Sequence, residues 1–361
     1  MPPEIVGQSD ETKSALFALQ VWKYKEGEVL SLMIHLGDRL GLYQAMAGQG
    51  PMSAAALSAA TGMHERWLLE WLRSQAAASL IDTSDGDEFE LSPEAADVLV
   101  EDTESLFFAA GAFQGGVAPP EVIDRLADAF RTGIGLSYDD LGPSAAHTVE
   151  RMLGPWSRLA LVPVVLPALD GVMARLTGGA RVADVGCGSG VALLTLADAF
   201  PNSHFEGYDP SEHAINRARS KLDEKGLANV ALHRASAADL PTEPTYDLVL
   251  TLDCLHDMPH PAEALTAIRR SIRDDGTLLV KDIRSGVTWA ENLRNPLLAL
   301  MYGTSVSTCM SSALSEPGGA GLGTLGLHRE LAEQMCREAG FTRFTLHDFE
   351  DPANLYYEVR P

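Results

Sequence analysis

From Arg181 to Ile283 the chain alternates short apolar runs with segments of helical period. Runs at 181–185, 204–208, 230–234, 246–252 and 277–283 read as strands. The stretches 190–199, 211–225 and 261–272 between them read as helices. Such alternation leaves few solutions: a parallel sheet with helices on both faces. The last two runs, "FTRFTLHDFE" and "ANLYYEVRP", are joined only by "DPAN". A connection that short makes the pair antiparallel. The prediction is therefore an α/β fold with a mixed seven-stranded sheet.

Upstream, Lys13 to Met46 has helical spacing, with Val29, Leu32, Met33, Leu36 and Leu40 three and four apart. Residues 1–10 are expected to be a disordered start. Ser53 reads as a helix cap, Thr61-Gly62 as a turn, and Asp85-Gly86 as the centre of a hairpin. Helix, helix, hairpin is the order of a winged helix. Its charge is wrong for DNA: from Pro51 to Thr103, Arg66 and Arg73 face eleven acids, a net of −9. Dimerisation is the expected role, so a homodimer is anticipated. Trp67 and Trp71 read as core or dimer contacts. The expected division is 1–104 winged helix, 105–178 a helical connector covering the pocket, and 179–361 the sheet domain. The connector is kinked at Pro155, Pro163 and Pro167, and the sheet domain carries a helical insert at 286–327.

The whole chain carries a formal charge of −23, which disfavours nucleic acid and anionic lipid as general partners. No signal peptide and no transmembrane run is read in it. The four cysteines, Cys187, Cys254, Cys309 and Cys336, form no CxxC pair and predict reduced thiols, a cytoplasmic location and no metal site.

In an open α/β sheet the ligand lies beyond the carboxyl ends of the strands. The first strand there offers Asp184, Gly186, Cys187, Gly188, Ser189 and Gly190, a GxGxG spacing with no Lys-Ser/Thr after it. It is thus no P-loop. The second ends in Tyr208-Asp209, where a carboxylate can accept hydrogen bonds from both ribose hydroxyls. "ASAADLP" follows the third strand, and "TLDCLHDMPHP" the fourth. Summed over these ends, the sequence predicts carboxylates and no Lys or Arg. That excludes a pyrophosphate more readily than a cationic nucleoside. S-adenosylmethionine, with its ammonium and sulfonium, fits. A nicotinamide oxidoreductase and a non-catalytic winged-helix regulator sensing S-adenosylmethionine are the rival readings.

"VADVGCGSG", "GYDPS", "AADLP", "YDLVLTLDCLHDM" and "DDGTLLVKD", in that order, resemble the class I S-adenosylmethionine-dependent methyltransferases, over about residues 178–361. The preceding "ALSAATGMHERWLLEWLRSQAAASLI" and "FELSPEAADVL" resemble the winged-helix domain of bacterial, including mycobacterial, small-molecule methyltransferases. The resemblance implies a Rossmann-like core. It implies that Asp184, Gly186, Gly188 and Gly190 flank the methionyl part and that Asp209 takes the ribose hydroxyls. Cys187, Tyr208, Pro210, Ser236, Ala237 and Asp253 stand beside them at the same strand ends. Many members carry an acid where Ser236 stands, so Ser236 or Asp239 is expected to meet the adenine amino group.

Methyl transfer is an in-line displacement in which the protein mainly aligns the partners. For a hydroxyl acceptor a base helps. His256 is the candidate by position, with Asp253 or Asp257 as its orienter. Tyr138, Trp156, Met301 and Tyr302 are the expected pocket for a small, apolar or aromatic acceptor.

Overall fold

The structure, a computed structural model, describes residues 10–101, 104–114 and 118–361. The disordered start expected at 1–10 lies, Asp10 apart, outside the described residues. The chain divides into two compact units, 1–117 and 118–361. The connector expected over 105–178 is thereby split, with 118–178 belonging to the sheet unit.

In the first unit a 30-residue helix, Asp10–Arg39, leads through Leu42–Met46 to two short helices, Ala54–Thr61 and Glu65–Ala77. Ser53 caps the first of these by accepting from the Ala56 amide. Strand β1 (Met52–Ser53) pairs antiparallel with β2 (Glu88–Phe89). The hairpin expected about Asp85-Gly86 is correspondingly small. Asp82 and Glu90 bridge across it and Thr83 Oγ1 donates to the Glu88 carbonyl, while the Asp85 carboxylate closes the turn by accepting from the Asp87 and Glu88 amides. Leu42, Tyr43, Met46, Leu57, Leu72 and Phe89 fill the core. Trp71 belongs to it, with its ring 5.2 Å from that of Tyr43, whereas Trp67 is 79% exposed.

The second unit holds β3 (Arg181–Val185), β4 (His204–Asp209), β5 (Val230–Arg234), β6 (Tyr246–Leu252), β7 (Ile272–Ile283), β8 (Arg343–His347) and β9 (Asn354–Arg360). They form one sheet in the order β5-β4-β3-β6-β7-β9-β8, with β9 antiparallel to both of its neighbours, β7 and β8, and the other pairs parallel. The order reverses between β3 and β6, and such switch points open a crevice for ligands. Strands buried on both faces explain the near-continuous apolar runs in the sequence.

One face of the sheet is covered by a long helical stretch from Pro143 to Ala168. Its three prolines do not break it as expected. Residues Ser157–Val165 widen into a π-helix, whose i→i+5 pattern tolerates the amide missing at Pro163. The sharp bend, 111°, comes after Ala168. No single described helix is long and apolar enough to cross a membrane; this bent pair passes by length and composition, and its Leu161, Val165, Leu166, Val172 and Leu176 are buried against the sheet.

Candidate active site

The carboxyl ends of β3, β4, β6 and β7 open into one cavity of about 660 Å³. The loop after β3 is fastened to β4: the Gly186 and Cys187 amides both donate to the Tyr208 carbonyl, at 2.8 and 3.1 Å. Gly186 has φ +77°, and a Cβ there would sit 2.7 Å from Cys254 Sγ. Only glycine satisfies both conditions. Gly188 lines the cavity and donates its amide to Asp209 at 2.8 Å. Gly190 is not on the wall. It starts the helix Val191–Ala199, where a Cβ would meet Ala218 at 3.2 Å.

Asp184 and Asp209 face each other across this loop. Asp184 is buried, and its Oδ1 has no hydrogen-bond partner. Burial, followed by the nearby Asp209 charge, pushes its carboxyl up to about 7. Burial also raises Asp209, against the Gly188 and Ser211 amides that donate to it. A buried acid with an unpartnered oxygen, beside a second, half-buried acid and with no cation of their own, suits a positively charged ligand. These residues therefore fit S-adenosylmethionine. Cys187, Tyr208, Pro210, Ser236 and Ala237 lie on the same wall. Asp239 does not, because its carboxylate is occupied with the Ser236 amide and hydroxyl, shaping the turn.

Asp253 is on the wall but is not a bare carboxylate. It ion-pairs with Lys281 Nζ and accepts from Asn354 Nδ2, at a backbone φ of +55°. Lys281 is 1% exposed, and its Nζ stands 4.6 Å from the centre of the Trp156 ring. The expectation of no Lys or Arg at the strand ends is thus corrected, since Lys281 and Arg270 both line the cavity. The lysine was hidden inside "TLLVKD", where it reads as part of a strand.

His256 is fully buried rather than on the cavity wall. Its Nδ1 lies 2.7 Å from Asp282 Oδ1, so Asp282 on β7 is its orienter, not Asp253 or Asp257. Burial alone would lower the imidazole. The Asp282 charge and hydrogen bond, with Cys309 and Asp257, outweigh burial and hold it well above the usual histidine range. Asp257 is the member of this cluster on the wall. Burial pushes its carboxyl up to about 7, against the pull of His256 and a hydrogen bond from Tyr138. The His256, Asp257 and Cys309 donor atoms lie within 4.8 Å of one another. Cys309 is brought there by a second π-helical stretch, Ser305–Cys309, and its hydrogen bond with His256 lowers its thiol against the effect of burial.

Of the four expected pocket residues, Tyr138 and Trp156 line the cavity. Met301 and Tyr302 do not. Tyr302 packs at 5.4 Å on Trp289 at the surface, and Met301 accepts from Asn295. The insert meets the cavity one helix later, through Ser312, Ser315 and Glu316. The glycine-rich loop after it is tied down: Ala320 and Gly323 donate to the Pro259 and His256 carbonyls.

Comparison with known proteins agrees with this layout. Residues 176–340 match the family model of a methyltransferase domain, and residues 28–101 that of an Rv2258c-like winged HTH domain. A ubiquinone biosynthesis O-methyltransferase of Aromatoleum aromaticum is 34% identical over 29% of this chain and 44% of its own length. A trans-aconitate 2-methyltransferase of Methylobacterium nodulans is 34% identical over 37% of this chain and 48% of its own. The chain thus spans less than half the length of these curated relatives. Human N-acetylserotonin methyltransferase, solved in complex with SAM, aligns over 98% of this chain and 99% of its own with a TM-score of 0.65 at 16% identity. An O-methyltransferase family protein from Burkholderia thailandensis aligns over 95% and 98% with a TM-score of 0.65 at 19% identity. These two likenesses are of fold. By domain and by fold, then, the chain carries a methyltransferase domain of Rossmann-like fold over residues 176–340, preceded by an Rv2258c-like winged HTH domain over residues 28–101.

Proposed function

We propose that this chain transfers the methyl group of S-adenosylmethionine to a hydroxyl of a small, apolar or aromatic acceptor. The observation that carries this reading is one cavity with the two facing acids, Asp184 and Asp209, on its wall and the Asp257–His256–Asp282 cluster beside them. The relatives named for O-methylation support oxygen as the methylated atom. S-adenosylmethionine supplies an already activated methyl group, so the chain's own work is to bind, align and take a proton. Asp184 meets the ammonium through its open oxygen. Asp209 takes the ribose hydroxyls. The adenine lies against Ser236, Ala237 and Ala238. Asp257 receives the acceptor's proton, and buried His256, held by Asp282, balances the charge on Asp257. Tyr138 and Trp156 flank the acceptor. Incubation with methyl-labelled S-adenosylmethionine and a panel of phenols tests the reading. Label in an ether product is expected; binding of NAD with no affinity for S-adenosylhomocysteine overturns it.

The pH dependence of binding follows from Asp184. Its carboxyl is raised to about 7 in the free protein, and the ammonium needs it ionised. Affinity for S-adenosylhomocysteine therefore rises with pH up to about 7 and then levels. Below that pH, binding releases a proton. Calorimetry in buffers of different ionisation enthalpy measures the release, and a flat profile from pH 5.5 to 8 contradicts the assignment.

The same chain is proposed to act as a homodimer in the cytoplasm. Phe17, Val21 and Tyr24 share one face of the helix Asp10–Arg39, beside Trp22, and each is at least half exposed. A second copy of that helix is the matching partner. Wild type is expected to sediment at twice the 38.7 kDa chain mass, and a Phe17→Glu/Trp22→Glu variant at the single mass. A monomeric wild type ends the proposal. The four reduced cysteines fit a reducing compartment. Nucleic acid is not among the proposed partners, given the −9 charge of the winged helix.

A further inference from the structure

The methionyl end of the proposed cofactor is a zwitterion. Its ammonium and carboxylate share one carbon, so a site that holds both must offer an anion and a cation side by side. On the cavity wall that arrangement exists, buried, at Asp253 and Lys281. The other ion pair among the lining residues, His260 with Glu316, is at the exposed rim. Lys281 sits on β7 directly across from Leu252, the last residue of β6. Leu252, Leu250, Leu279 and the Trp156 ring belong to the cluster on one face of the sheet, and Lys281 follows Leu279 by two residues, so it points to that face as well. Asp184 follows Val182 of the same cluster by two, which puts its open oxygen on that side too.

Resting on the cofactor reading above, we propose that Lys281 is the group that recognises the α-carboxylate of S-adenosylmethionine, while Asp184 takes the ammonium. An ammonium group has three donors, and Asp253 uses one of them. The Trp156 ring holds the lysine from behind by cation–π attraction and keeps water away. Asp253, fixed by Asn354, orients the lysine and prevents an isolated buried cation when the site is empty. The recognition site therefore matches the ligand's charges one by one, although the protein as a whole is strongly acidic. A purely acidic pocket would reject the carboxylate.

The test compares S-adenosylmethionine with its decarboxylated analogue, which keeps the sulfonium, the ribose and an amine but lacks the carboxylate. Titration calorimetry gives the ratio of the two dissociation constants. A charged hydrogen bond at a buried site corresponds to about a 10-fold or greater preference. Wild type is expected to favour the carboxylated ligand by at least that, and Lys281→Met to bring the ratio within about twofold. Since Lys281→Met leaves Asp253 unpaired, the ratio is also read for Asp253→Asn and for Asp253→Asn/Lys281→Met, where the preference should persist in the first and vanish in the second. An unchanged ratio in the lysine variants, or no preference in wild type, overturns the proposal. A wild type that binds neither ligand sinks the cofactor reading and this inference with it.

Discussion

Asp257→Asn is expected to lower kcat by about 10²- to 10⁴-fold while leaving the dissociation constant of S-adenosylhomocysteine within a factor of two or three. General bases contribute on that scale when the acceptor must lose a proton. Asp257 is the one member of the His256 cluster on the cavity wall, and its carboxyl titrates near neutral pH because burial opposes its charge. In wild type kcat should rise as pH climbs toward about 7, where the carboxylate becomes ionised, and then flatten. The asparagine is nearly isosteric and keeps the hydrogen bond to Tyr138, so it removes proton acceptance with little change of shape. His256→Gln should lose less, because it acts through Asp257, and should shift the midpoint of the pH profile upward by removing the positive charge that favours the carboxylate. Single-turnover rates over pH 5.5–9 measure both. If kcat of Asp257→Asn stays within threefold of wild type, the proton goes elsewhere, and a His256→Gln variant as impaired as Asp257→Asn would move the role to the imidazole.

Asp209→Ala is expected to weaken S-adenosylhomocysteine binding by about 10²-fold or more. A carboxylate that accepts from two ribose hydroxyls makes two charge-assisted bonds, each contributing about 1.5–3 kcal/mol. The same carboxylate also accepts from the Gly188 and Ser211 amides, so its removal loosens the glycine loop as well. Asp209→Asn separates the two effects. It retains an oxygen for one amide and preserves most of the loop, yet loses the charge and one ribose acceptor, so its loss should fall between wild type and alanine. Calorimetric titration with S-adenosylhomocysteine and with its 2′-deoxy form is the measurement. If Asp209→Ala binds both ligands as wild type does, the ribose is not held here.

The parallel strands were largely legible, although β7 starts at Ile272, five residues before its expected beginning. β3 and β6 begin and end where their apolar runs do, because strands covered on both faces leave an uninterrupted apolar signature, and the half-exposed edge strand β5 also keeps its expected bounds. The glycine loop and Asp209 were legible for a related reason: a strand, a turn of positive φ and a helix must follow one another in the chain, so their spacing is local. The small wing was less legible. Glu88–Phe89 takes its partner from Met52–Ser53, and such pairing leaves no trace in the turn between them. Pro163 looked like a helix breaker because the sequence does not announce a π-helix that absorbs it.

The order of elements, the glycine turn and the acids at the strand ends are fixed by neighbours in the chain, so the sequence by itself determined the fold class and the side of the sheet that binds. Charge pairing was decided only in three dimensions. Lys281 came to rest beside Asp253, and Asp282 behind His256, because β6 and β7 lie next to each other in the sheet. Cys309 reached the same cluster from a distant helix, and Met301 and Tyr302 turned away from it, since the face a short helix presents depends on what it packs against. Periodicity records how a residue relates to its own element. Which buried charge meets which is set by the packing between elements, where desolvation makes the choice of partner matter most.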